Sequence, residues 1–559
     1  MGILSALLAV AVGQHALAVP STVSFTFNKT ADLGNPLIGF AHYYPLTEMS
    51  PSVPCRLENF YVSMRDLMQG WNDFTFDKYL ESNLTEIASR NRTAIFRVYL
   101  VYPGKTNKPS DVVPDFLIKG GLKFNGISPD WDDSNLVKAM TQLIEAMGKR
   151  YDADPRIANI NVGFLGQWGE WHDDKWASIE TQKAVLDAYQ RSFNVTQLTV
   201  RYPDVFGGLN ANDTRFGYHD DSFLQDTTIK DSWGFMNRMK TVGATEQWKV
   251  GAIGGEFRPE LQGCYFDNDD WTKVCGGGPP VPAFNVSGAA GTDPSGSTAT
   301  TLNGEFFVQG SHNGRPMYMQ HGTDAIFRWQ VKGEWGADNL GTPGKSKWTA
   351  AVNNNHRYFS EIDVPTPPEK EGWTARTDFA TGNITVHYPD YKANDCGTCP
   401  DGAFKDDAAV THSSWQWNNQ LNNYRPSEAA RARNAVANLG YKFFLQQVTL
   451  TRQGSSVKIE AMVENRGIAP FYYPVKLQAE AGAAAATLGS LDKLLPGEVA
   501  DLSAQLDASS DVAFLSLRSP WAPTGVRFAI AEQQSDQHGV VGVTVKLPAA
   551  SSHQLELTV

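Results

Sequence analysis

Apolar and polar positions before residue 260 alternate between strand-like runs and helical stretches. In Asp77–Ser89 and Asp133–Arg150 the apolar residues recur about every 3.6 positions, which predicts two amphipathic helices. Strands that are joined by helices favour parallel pairing in an α/β fold. The predicted strands are Leu37–Phe40, Phe60–Met64, Ala94–Tyr99, Ile157–Phe164, Leu198–Tyr202, Phe216–His219 and Lys249–Ile253, with an eighth near Ala409–Trp415 and a closing helix over Pro426–Leu439.

The rest of the chain has short alternating runs and few helical stretches. Residues 263–301 combine cysteines with Gly/Pro-rich and Gly/Ser/Thr-rich sequence, which is typical of a neck and linker. Residues 302–392 predict an inserted β module, and residues 393–440 complete a barrel that residues 19–262 begin. Residues 441–559 predict a β-sandwich. The expected fold class is α/β, a (β/α)8 TIM-like barrel with an inserted small β module and a C-terminal β-sandwich.

Residues 1–18 have the pattern of a signal peptide. Ile3–Val12 is an apolar segment of suitable length, and Ala16–Ala18 has the small-x-small pattern that signal peptidase cleaves. The mature chain is therefore expected to begin near Val19. Because no Lys or Arg precedes the apolar segment, a frayed N-terminal helix is the alternative. No later stretch has the roughly 18 consecutive apolar residues of a membrane span.

Seven Asn-x-Ser/Thr sequons predict N-glycosylation, which takes place in the secretory pathway. Together with the predicted signal peptide they indicate a secreted or extracellular glycoprotein. The sequons are at Asn28, Asn83, Asn91, Asn194, Asn212, Asn285 and Asn383.

Composition narrows the class of partner. The chain has 559 residues, of which 42% are hydrophobic, enough for about three domains. Its formal net charge of -12 argues against nucleic acid, because phosphate binding needs clustered Lys and Arg. The 15 Trp residues offer aromatic faces for sugars, although most Trp side chains pack in a core or at its rim. We expect a carbohydrate substrate or ligand, no nucleic acid and no integral membrane segment.

The chain has five cysteines, and four of them flank residues 276–395. In an oxidising compartment these four can form two disulfides at the neck of the inserted region. The pairing stays open between cysteines that are close in sequence and cysteines on opposite sides of the neck. A redox motif at Cys396–Cys399 lacks the strand-helix context that such motifs have. Cys55 is left as a free or buried thiol. The four flanking cysteines are Cys264, Cys275, Cys396 and Cys399.

Several short motifs follow one another along the chain. They are Asn35–Phe40, Ile95–Tyr99, Asp154–Ile157, Arg201–Pro203, Gly217–Asp221, Gly254–Glu256 and Leu439–Phe443. The most specific is Gly163–His172, with the sequence Gly-Phe-Leu-Gly-Gln-Trp-Gly-Glu-Trp-His. Together they resemble a secreted barrel family catalogued only as paired N-terminal and C-terminal domains of unknown function. The resemblance implies a glycosidase-like barrel followed by an immunoglobulin-like β-sandwich, and no established activity.

The inserted region resembles a different module. Its motifs are Asn303–Phe307, Asn313–Tyr318, Phe327–Trp335, Thr366–Pro368 and Gly372–Trp373. They are similar to a small β repeat of multidomain proteins in algae and other protists, and the expected role is glycan or protein binding. Because the insertion follows Glu256 directly, it is placed to cover the barrel mouth, where it narrows the substrate range or abolishes turnover.

Two glutamates that follow predicted strands carry the candidate chemistry. Glu170 follows the fourth strand and Glu256 the seventh, and active sites of β/α barrels lie at the C-terminal ends of the strands. Cleavage of a glycosidic bond with retention needs two carboxyl groups about 5 Å apart. The arrangement resembles glycosidase clan A, which implies Glu170 as acid/base with a raised pKa and Glu256 as nucleophile. Gly169 is a departure, because that clan usually has Asn before the acid/base.

Both glutamates also have a structural interpretation. Glu170 is alternatively a carboxylate that caps a helix or pairs with Arg97 or Arg201. Glu256 is alternatively an ion-paired rim residue, with Arg258 as its partner. Under these alternatives the barrel fold is unchanged, but the two glutamates do not cleave a glycosidic bond.

Further polar and aromatic residues near the strand ends are predicted to bind substrate. Of these, Trp168 and Trp171 are also expected to desolvate the fourth-strand glutamate and so raise its pKa. His219–Asp221 with His172 and Asp173 is a weaker alternative, a divalent-metal site, but it lacks a helical ligand spacing. We predict neither a metal nor a cofactor. The predicted substrate-binding residues are Arg97, Trp168, Trp171, His172, Arg201, His219, Asp220, Asp221 and Trp415, with His412 and Trp417 as further stacking candidates.

The sequence thus predicts a retaining O-glycoside hydrolase (EC 3.2.1-like) that cleaves polysaccharide or glycan chains through two glutamates. The alternative is a non-catalytic carbohydrate-binding or adhesion protein, since barrels host many unrelated functions. A carboxyl separation of about 5 Å favours retention, and one of about 6.5 to 9.5 Å favours inversion.

Overall fold

The structure is a computed structural model that describes residues 19–45, 53–103, 109–172, 177–201, 203, 215–224, 227–228, 234–257, 284–292, 298–313, 315–320, 323–364, 366–369, 372–377, 379–387, 404–418, 426–507 and 510–549. Among the helices in these ranges, none is both long and apolar enough to cross a membrane. The predictions that lie outside the described residues concern the signal peptide, Asn212, Asp173, Arg258 and the four cysteines Cys264, Cys275, Cys396 and Cys399.

Eight parallel strands close into a barrel. They follow one another around the ring in chain order, and the eighth closes on the first, where residues 415–417 pair with residues 39–41. The predicted TIM-like barrel is therefore confirmed. The barrel strands are Gly39–Tyr43, Cys55–Ser63, Thr93–Tyr99, Ile157–Phe164, Leu198–Val200, Gly217–Phe223, Ile253–Phe257 and Trp415–Trp417.

The eighth strand differs from its prediction. The predicted range Ala409–Trp415 begins inside a helix, Phe404–Thr411, and the strand itself is Trp415–Trp417. Phe404, Ala408 and Thr411 are buried at intervals of four and three residues, which is the spacing of one helical face. The apolar residues before Trp415 therefore belong to a helix. The spacing of three and four residues between buried positions distinguishes this helix from a strand.

Amphipathic helices cover the outside of the barrel. Ser134–Tyr151 begins after Asp133, whose carboxylate accepts hydrogen bonds from the amides of Asn135 and Leu136. This helix confirms one prediction, and the other predicted helix is present as Ser82–Ser89 after a π-helical turn. The remaining helices and turns are Met64–Leu67, Asp77–Glu81, Pro109–Asp111, Asp115–Lys119, Gln167–Gly169, Ile179–Ser192, Phe235–Thr241, Gln247–Lys249, Ala299–Leu302, Trp335–Asn339, Phe404–Thr411 and Pro426–Val436.

The inserted β module is one antiparallel sheet of eight strands. Its aromatic core includes Phe284, Phe306, Phe327 and Trp348. The sheet begins at Phe284, so the second half of the range predicted as neck and linker contributes a strand and a helical turn to the module. Its strands are Phe284–Ser287, Gly304–His312, Arg315–Met319, Ile326–Gln330, Lys347–Val352, Asn355–Ser360, Thr374–Ala375 and Thr385–His387.

The module packs beside the mouth of the barrel. Met317, Met319 and Ile326 belong to the same hydrophobic cluster as Phe223 and Phe257. Phe223 and Phe257 are the last residues of the sixth and seventh barrel strands. The module is thus attached at the C-terminal ends of those two strands.

Two antiparallel sheets form the C-terminal β-sandwich around one hydrophobic cluster. The first sheet also contains Ser21–Ser24, which pairs with Phe443–Gln453. The described chain therefore starts in the sandwich, whereas the prediction placed residues 19–262 in the barrel. Three of the four residues of this strand are exposed, so its sequence has no apolar signal. The other strands are Ser456–Asn465, Lys476–Ala481, Ala484–Ser490, Val499–Asp507, Val512–Ser519, Ala522–Val526, Ser535–Gln537 and Val540–Lys546.

The sandwich covers the N-terminal end of the barrel. The Tyr473 hydroxyl accepts a hydrogen bond from the Gln197 amide at 3.0 Å and donates one to the Ala158 carbonyl at 2.9 Å. Trp521 Nε1 donates to the carbonyl of Ile157 at 3.2 Å. These barrel atoms lie at the beginnings of the fourth and fifth strands. The mouth at the C-terminal ends of the strands is therefore on the opposite side from the sandwich.

Candidate active site

The fourth strand ends in a turn with unusual backbone geometry. Phe164, Trp168 and Trp171 have positive φ angles of 72°, 53° and 60°. Gly169 has a φ of 71°, and a Cβ at this position would lie 2.7 Å from the carbonyl oxygen of Val98. A side chain cannot fit here without a shift of the backbone, which explains why this chain has Gly where glycosidase clan A has Asn.

The two tryptophans that flank Glu170 have different positions. Trp168 is half-buried at the mouth, with its ring centroid 6.4 Å from that of Tyr102 and 5.5 Å from that of His172. Trp171 is 1% exposed, and its Nε1 donates to the carbonyl of Val162 at 2.9 Å. Trp171 is therefore a core residue, and its predicted contact with substrate is wrong, because the turn rotates its ring into the packing outside the strand.

Glu170 is held by two arginines. Arg97 Nη1 lies 2.8 Å from Oε1, and Arg201 Nη1 lies 2.6 Å from Oε2. The Tyr61 hydroxyl is 3.4 Å from Oε1, and His172 Nε2 is 3.3 Å from Oε2. The alternative prediction, a carboxylate that pairs with Arg97 or Arg201, thus describes these contacts, and both arginines take part.

These contacts set the protonation state of Glu170. Burial and the charge of Asp221 raise its pKa, but Arg201, the hydrogen bond from His172 and Arg97 together outweigh them. The pKa of Glu170 therefore lies below its ordinary value, and the carboxylate is ionised. The predicted raised pKa is wrong, because the two tryptophans do not isolate this carboxyl group from the arginines.

Asp221 is a second ionised carboxylate in the same cluster. Its Oδ2 lies 2.7 Å from Arg201 Nε, its Oδ1 is 3.9 Å from Arg97 Nη2, and the His219 Nδ1 also contacts it. Burial raises the pKa of Asp221, but Arg201, His219 and Arg97 outweigh burial and lower it. Arg97 and Arg201 thus bridge the carboxylates of Glu170 and Asp221. Arg97, Arg201 and Asp221 were predicted to bind substrate, but in this structure they form ion pairs within the cluster.

Neighbouring side chains on the sixth strand point to opposite faces. His219 is 1% exposed and lies inside the barrel, with its ring centroid 5.3 Å from that of Trp415. Asp220 is bonded to the Thr227 hydroxyl at 2.7 Å, and burial raises its pKa to about 7. Neither side chain is accessible to a substrate at the mouth, which corrects the prediction for both residues.

Glu256 is the carboxyl group of the cluster that has no counter-ion at contact distance among the described residues. It is 6% exposed, and no hydrogen bond or ion pair joins it to any residue in the described ranges. Burial first, and then the charges of Asp221 and Glu170, raise the pKa of Glu256 well above its ordinary value. Glu256 is therefore protonated where Glu170 is ionised. Its predicted pairing with Arg258 involves a residue outside the described ranges.

Charge balance accounts for this division. Arg97 and Arg201 supply two positive charges, and Glu170 and Asp221 take up both in ion pairs. A further ionised carboxylate would be buried without a counter-ion, which is costly, so Glu256 holds its proton. The site thus presents a carboxylate, Glu170, after the fourth strand and a carboxylic acid, Glu256, on the seventh.

Aromatic side chains surround this pair, and of these the prediction had included Trp417 alone. Tyr43, Tyr99 and Trp417 are the last residues of the first, third and eighth strands. Tyr43 stacks on Trp417 with centroids 5.7 Å apart, and the Tyr61 ring is 5.7 Å from Trp417. Tyr102 continues the ring of aromatics, 5.2 Å from Tyr99. An aromatic residue at the end of a barrel strand was the sequence signal for this group.

Two predicted stacking residues lie elsewhere. Trp415 is 2% exposed and fills the barrel interior, because Gly254 leaves room for its ring. His412 stacks on Trp248 at 3.7 Å and bonds to the carbonyl of Ile468, on the side of the sandwich. Trp417, by contrast, lies at the mouth as predicted and is next to Glu256 in the strand pairing.

A metal site is not supported at this mouth. Within the described residues, no group of three His, Cys, Asp or Glu side chains is arranged to hold a metal ion. Arg97 and Arg201 occupy the carboxylates that would be ligands, and Asp220 is turned away from them. Asp173, the remaining predicted ligand, is outside the described ranges.

Fold and site together define a class of protein, a β/α barrel with a buried carboxyl-arginine cluster and an aromatic ring at its C-terminal mouth. Solved structures similar to it include glycoside hydrolases. Endo-glycoceramidase II from Rhodococcus sp. is 12% identical, and the match covers 66% of this chain and 100% of that one with a TM-score of 0.27. An endoglucanase from Pseudomonas stutzeri is 12% identical over 42% of this chain and 78% of that one, with a TM-score of 0.24.

A GH5_18 protein from Bifidobacterium longum, solved in complex with Manb1-4GlcNAc, is 11% identical, with a TM-score of 0.25. The match covers 36% of this chain and 51% of that one, about half of its length. No family model and no curated protein matches the sequence. At these identities and TM-scores the likeness carries no argument about function.

Proposed function

We propose that this chain is a secreted glycoside hydrolase that cleaves polysaccharide or glycan chains with Glu170 and Glu256 as its carboxyl pair. The observation that carries the proposal is the placement of two carboxyl groups at the C-terminal ends of the fourth and seventh strands in unlike surroundings. Glu170 is paired with two arginines, whereas Glu256 is buried and has no ion pair among the described residues. Glycoside hydrolysis needs one carboxylic acid and one carboxylate at the same bond. The proposed roles are exchanged with respect to the sequence prediction.

In the proposed mechanism Glu256 donates its proton to the leaving glycosidic oxygen. Glu170 is ionised and faces the positive charge that develops at the anomeric carbon, either as the attacking group or as the base for a water molecule. The half-buried Tyr43 and Tyr61 offer ring faces on which sugar rings stack, and the buried Trp417 packs against both of them. The anomeric configuration of the first product, measured by proton NMR, distinguishes retention from inversion.

The alternative, a carbohydrate-binding protein without turnover, is favoured by one observation. Both oxygens of Glu170 are engaged by arginines, Oε1 by Arg97 and Oε2 by Arg201. A carboxylate with both oxygens in ion pairs is a weaker nucleophile or base than a free one. The aromatic mouth would bind sugar in either case.

The experiment is hydrolysis of a panel of polysaccharides and aryl glycosides by the purified full chain and its variants. Glu170→Gln and Glu256→Gln are each expected to lower turnover by about 100-fold to 10,000-fold. Glu246→Gln, which changes an exposed carboxyl group paired with Lys249, is the matched control and leaves turnover unchanged. Activity of the native chain falls as pH rises through the raised pKa of Glu256.

Turnover that survives both substitutions would contradict the site assignment. Absence of turnover on every substrate, with glycan-array binding that Glu170→Gln and Glu256→Gln leave intact, would favour the binding protein. Substitution of Trp417 by Ala weakens binding in both hypotheses, because it removes the ring that supports Tyr43 and Tyr61.

Secretion and glycosylation are part of the proposal. Six of the seven sequons lie in described ranges, and none of their asparagines is buried. N-terminal sequencing of chain secreted from eukaryotic cells is expected to start near Val19. Treatment with an amidase that removes N-glycans is expected to increase its electrophoretic mobility. A chain that stays inside the cell and unmodified would contradict this part.

A further inference from the structure

A second cavity lies at the opposite end of the barrel from the carboxyl pair. It has a volume of about 420 Å³ and lies between the beginnings of barrel strands and the sandwich. Arg56 and Arg92 line it from the barrel side, and Arg527 lines it from the sandwich side. The volume lies in the range of about 300 to 1,000 Å³ that is typical of small-molecule sites.

Two of the arginines in this cavity have no carboxylate partner among the described residues. Arg56 donates from Nε to the carbonyl of Gly34 and from Nη1 to the carbonyl of Asn91, both at 2.9 Å. These acceptors are neutral, so they orient the guanidinium group without balancing its charge. Arg527 is exposed, and its amide nitrogen bonds to Asn35 Oδ1, while its guanidinium group makes no ion pair within the described ranges.

Other arginines of the cavity wall are neutralised. Arg92 Nη1 lies 2.6 Å from Glu58 Oε1, and Arg156 is paired with Asp154 and Glu81. The wall thus has a fixed, ion-paired layer behind Arg56 and Arg527. Asp536 is the carboxylate among the described lining residues, and its Oδ1 accepts from the amide of Gly539.

The polar atoms next to Arg56 are also incompletely satisfied. Arg92 Nη2 and Thr93 Oγ1 are buried, and neither has a hydrogen-bond partner in the described part of the chain. Burial first, and then the charges of Arg92 and Arg527, lower the pKa of Arg56. Arg56 and Arg527, which have no carboxylate partner among the described residues, therefore lie close enough to repel each other, and an anion between them would relieve this repulsion.

We propose that this cavity binds the oxyanion group of a small molecule, between Arg56 of the barrel and Arg527 of the sandwich. A carboxylate, sulfate or phosphate can accept charge-assisted hydrogen bonds from both guanidinium groups. Pro36, Pro155 and Pro520 give the cavity apolar walls for the remainder of such a ligand. The site is independent of the proposed glycosidase chemistry, and either can fail without the other.

Binding at this position would link two parts of the molecule. Arg56 belongs to the second barrel strand, and Arg527 follows a sandwich strand. A ligand that contacts both is bound by the folded chain alone, so it raises the melting temperature as its concentration increases. Thermal stability is therefore a readout that does not depend on turnover.

The experiment is calorimetric titration of the full chain with glucuronate, glucose 6-sulfate and glucose 6-phosphate at constant ionic strength, with glucose as the neutral probe. We expect saturable binding of at least one anionic probe and none of glucose. Arg527→Gln removes one positive charge from a guanidinium group that makes no ion pair among the described residues. It is expected to weaken binding by about tenfold. The order of affinity among the three probes identifies the oxyanion.

Arg191→Gln is the matched control, because it removes the same charge from an exposed helix position that does not line the cavity. It is expected to leave the affinity unchanged. Arg56→Lys keeps a charge and tests the planar guanidinium geometry. Absence of saturable binding for all three anions, or equal affinity in the native chain and Arg527→Gln, would overturn the proposal.

Discussion

At the scale of single residues, Gly169 determines how Glu170 enters the site. Its φ of 71° and the carbonyl of Val98 leave no space for a side chain. The turn therefore presents Glu170 to Arg97 and Arg201 with a glycine, and not an amide side chain, at the preceding position. The sequence showed the departure from the glycosidase pattern, and the backbone gives its cause.

Gly169→Ala is expected to lower the free energy of unfolding by about 2 to 4 kcal/mol, from the positive φ and the close contact with Val98 together. Urea unfolding of the full chain measures the loss. Gly243→Ala is the matched control, because Gly243 has a φ of 70° and no atom within 4 Å of the added Cβ. Its loss is expected to be about 1 kcal/mol. Equal losses in the two variants would show that the contact with Val98 has no effect.

Glu256→Gln is expected to change how stability depends on pH. The pKa of Glu256 is raised above its ordinary 4.5, so above this pH the folded chain keeps a proton that the unfolded chain releases. Stability from this group is therefore present at low pH and is lost as pH rises toward the folded pKa, by up to about 1.4 kcal/mol per pH unit.

Gln does not titrate, so the stability of Glu256→Gln relative to the native chain is expected to be greater at about pH 8 than at about pH 5. Urea unfolding at both pH values provides the measurement, and Glu246→Gln is the control for loss of a carboxyl group at the surface. A difference that stays constant between the two pH values would contradict a protonated Glu256.

The carboxyl pair was predictable and its protonation states were not. The sequence placed Glu170 and Glu256 after the fourth and seventh strands, and the structure has Glu170 after the fourth strand and Glu256 next to the end of the seventh. Strand order alone decides which residues reach the mouth. The pKa shifts of the pair depend on the distances of both carboxyl groups from Arg97, Arg201 and Asp221. Those distances are set by closure of the barrel, which brings residues from different strands together. The aromatic residues Tyr43 and Tyr99 could have been found from their places at strand ends, as Trp417 was.

At the scale of elements, the seventh and eighth strands fit through one glycine. A Cβ on Gly254 would lie 2.1 Å from the ring of Trp415, which fills the interior of the barrel. A large residue on one strand is thus matched by the smallest on its neighbour. The pattern of apolar runs located the first six strands. The seventh strand, however, begins at Ile253, where its predicted range ends. Strands of three residues, such as Trp415–Trp417, have bounds that periodicity cannot fix.

Gly254→Ala is expected to destabilise the chain by about 3 kcal/mol, since Trp415 is enclosed on all sides and cannot move away. Trp415→Phe in the same chain is expected to recover part of this loss, and denaturant unfolding of the single and double variants measures both. Gly70→Ala is the control, because the nearest atom to its added Cβ is at 3.7 Å. A double variant no more stable than Gly254→Ala would contradict direct packing between the two residues.

At the scale of the whole molecule, the sandwich and barrel are joined by buried polar contacts. Tyr473 bonds to the Gln197 amide and the Ala158 carbonyl, and its ring stacks on Trp521 at 4.1 Å. None of these residues was a candidate in the sequence, because contacts between distant segments leave no local pattern. The order of domains could be predicted, whereas their contact surface could not.

Tyr473→Phe is expected to cost about 1 to 3 kcal/mol, because it leaves the Gln197 amide buried without an acceptor. Scanning calorimetry measures the loss and shows whether the barrel and sandwich still unfold in one transition. Tyr151→Phe is the control, since the Tyr151 hydroxyl is buried and has no partner among the described residues. A similar loss in both variants would mean that the hydroxyl of Tyr473 does not hold the two parts together.

The strand Ser21–Ser24 has a consequence for the time at which the protein can finish folding. Its partner strand contains Thr449, whose hydroxyl bonds to that of Thr22 across a sequence separation of 427 residues. At a synthesis rate of about 5 to 20 residues per second, the ribosome needs roughly 20 to 90 s to make the partner after the first strand has emerged. During that interval the earliest strand is unpaired while the barrel is being made. The N-terminal strand therefore cannot pair until the ribosome has translated most of the chain.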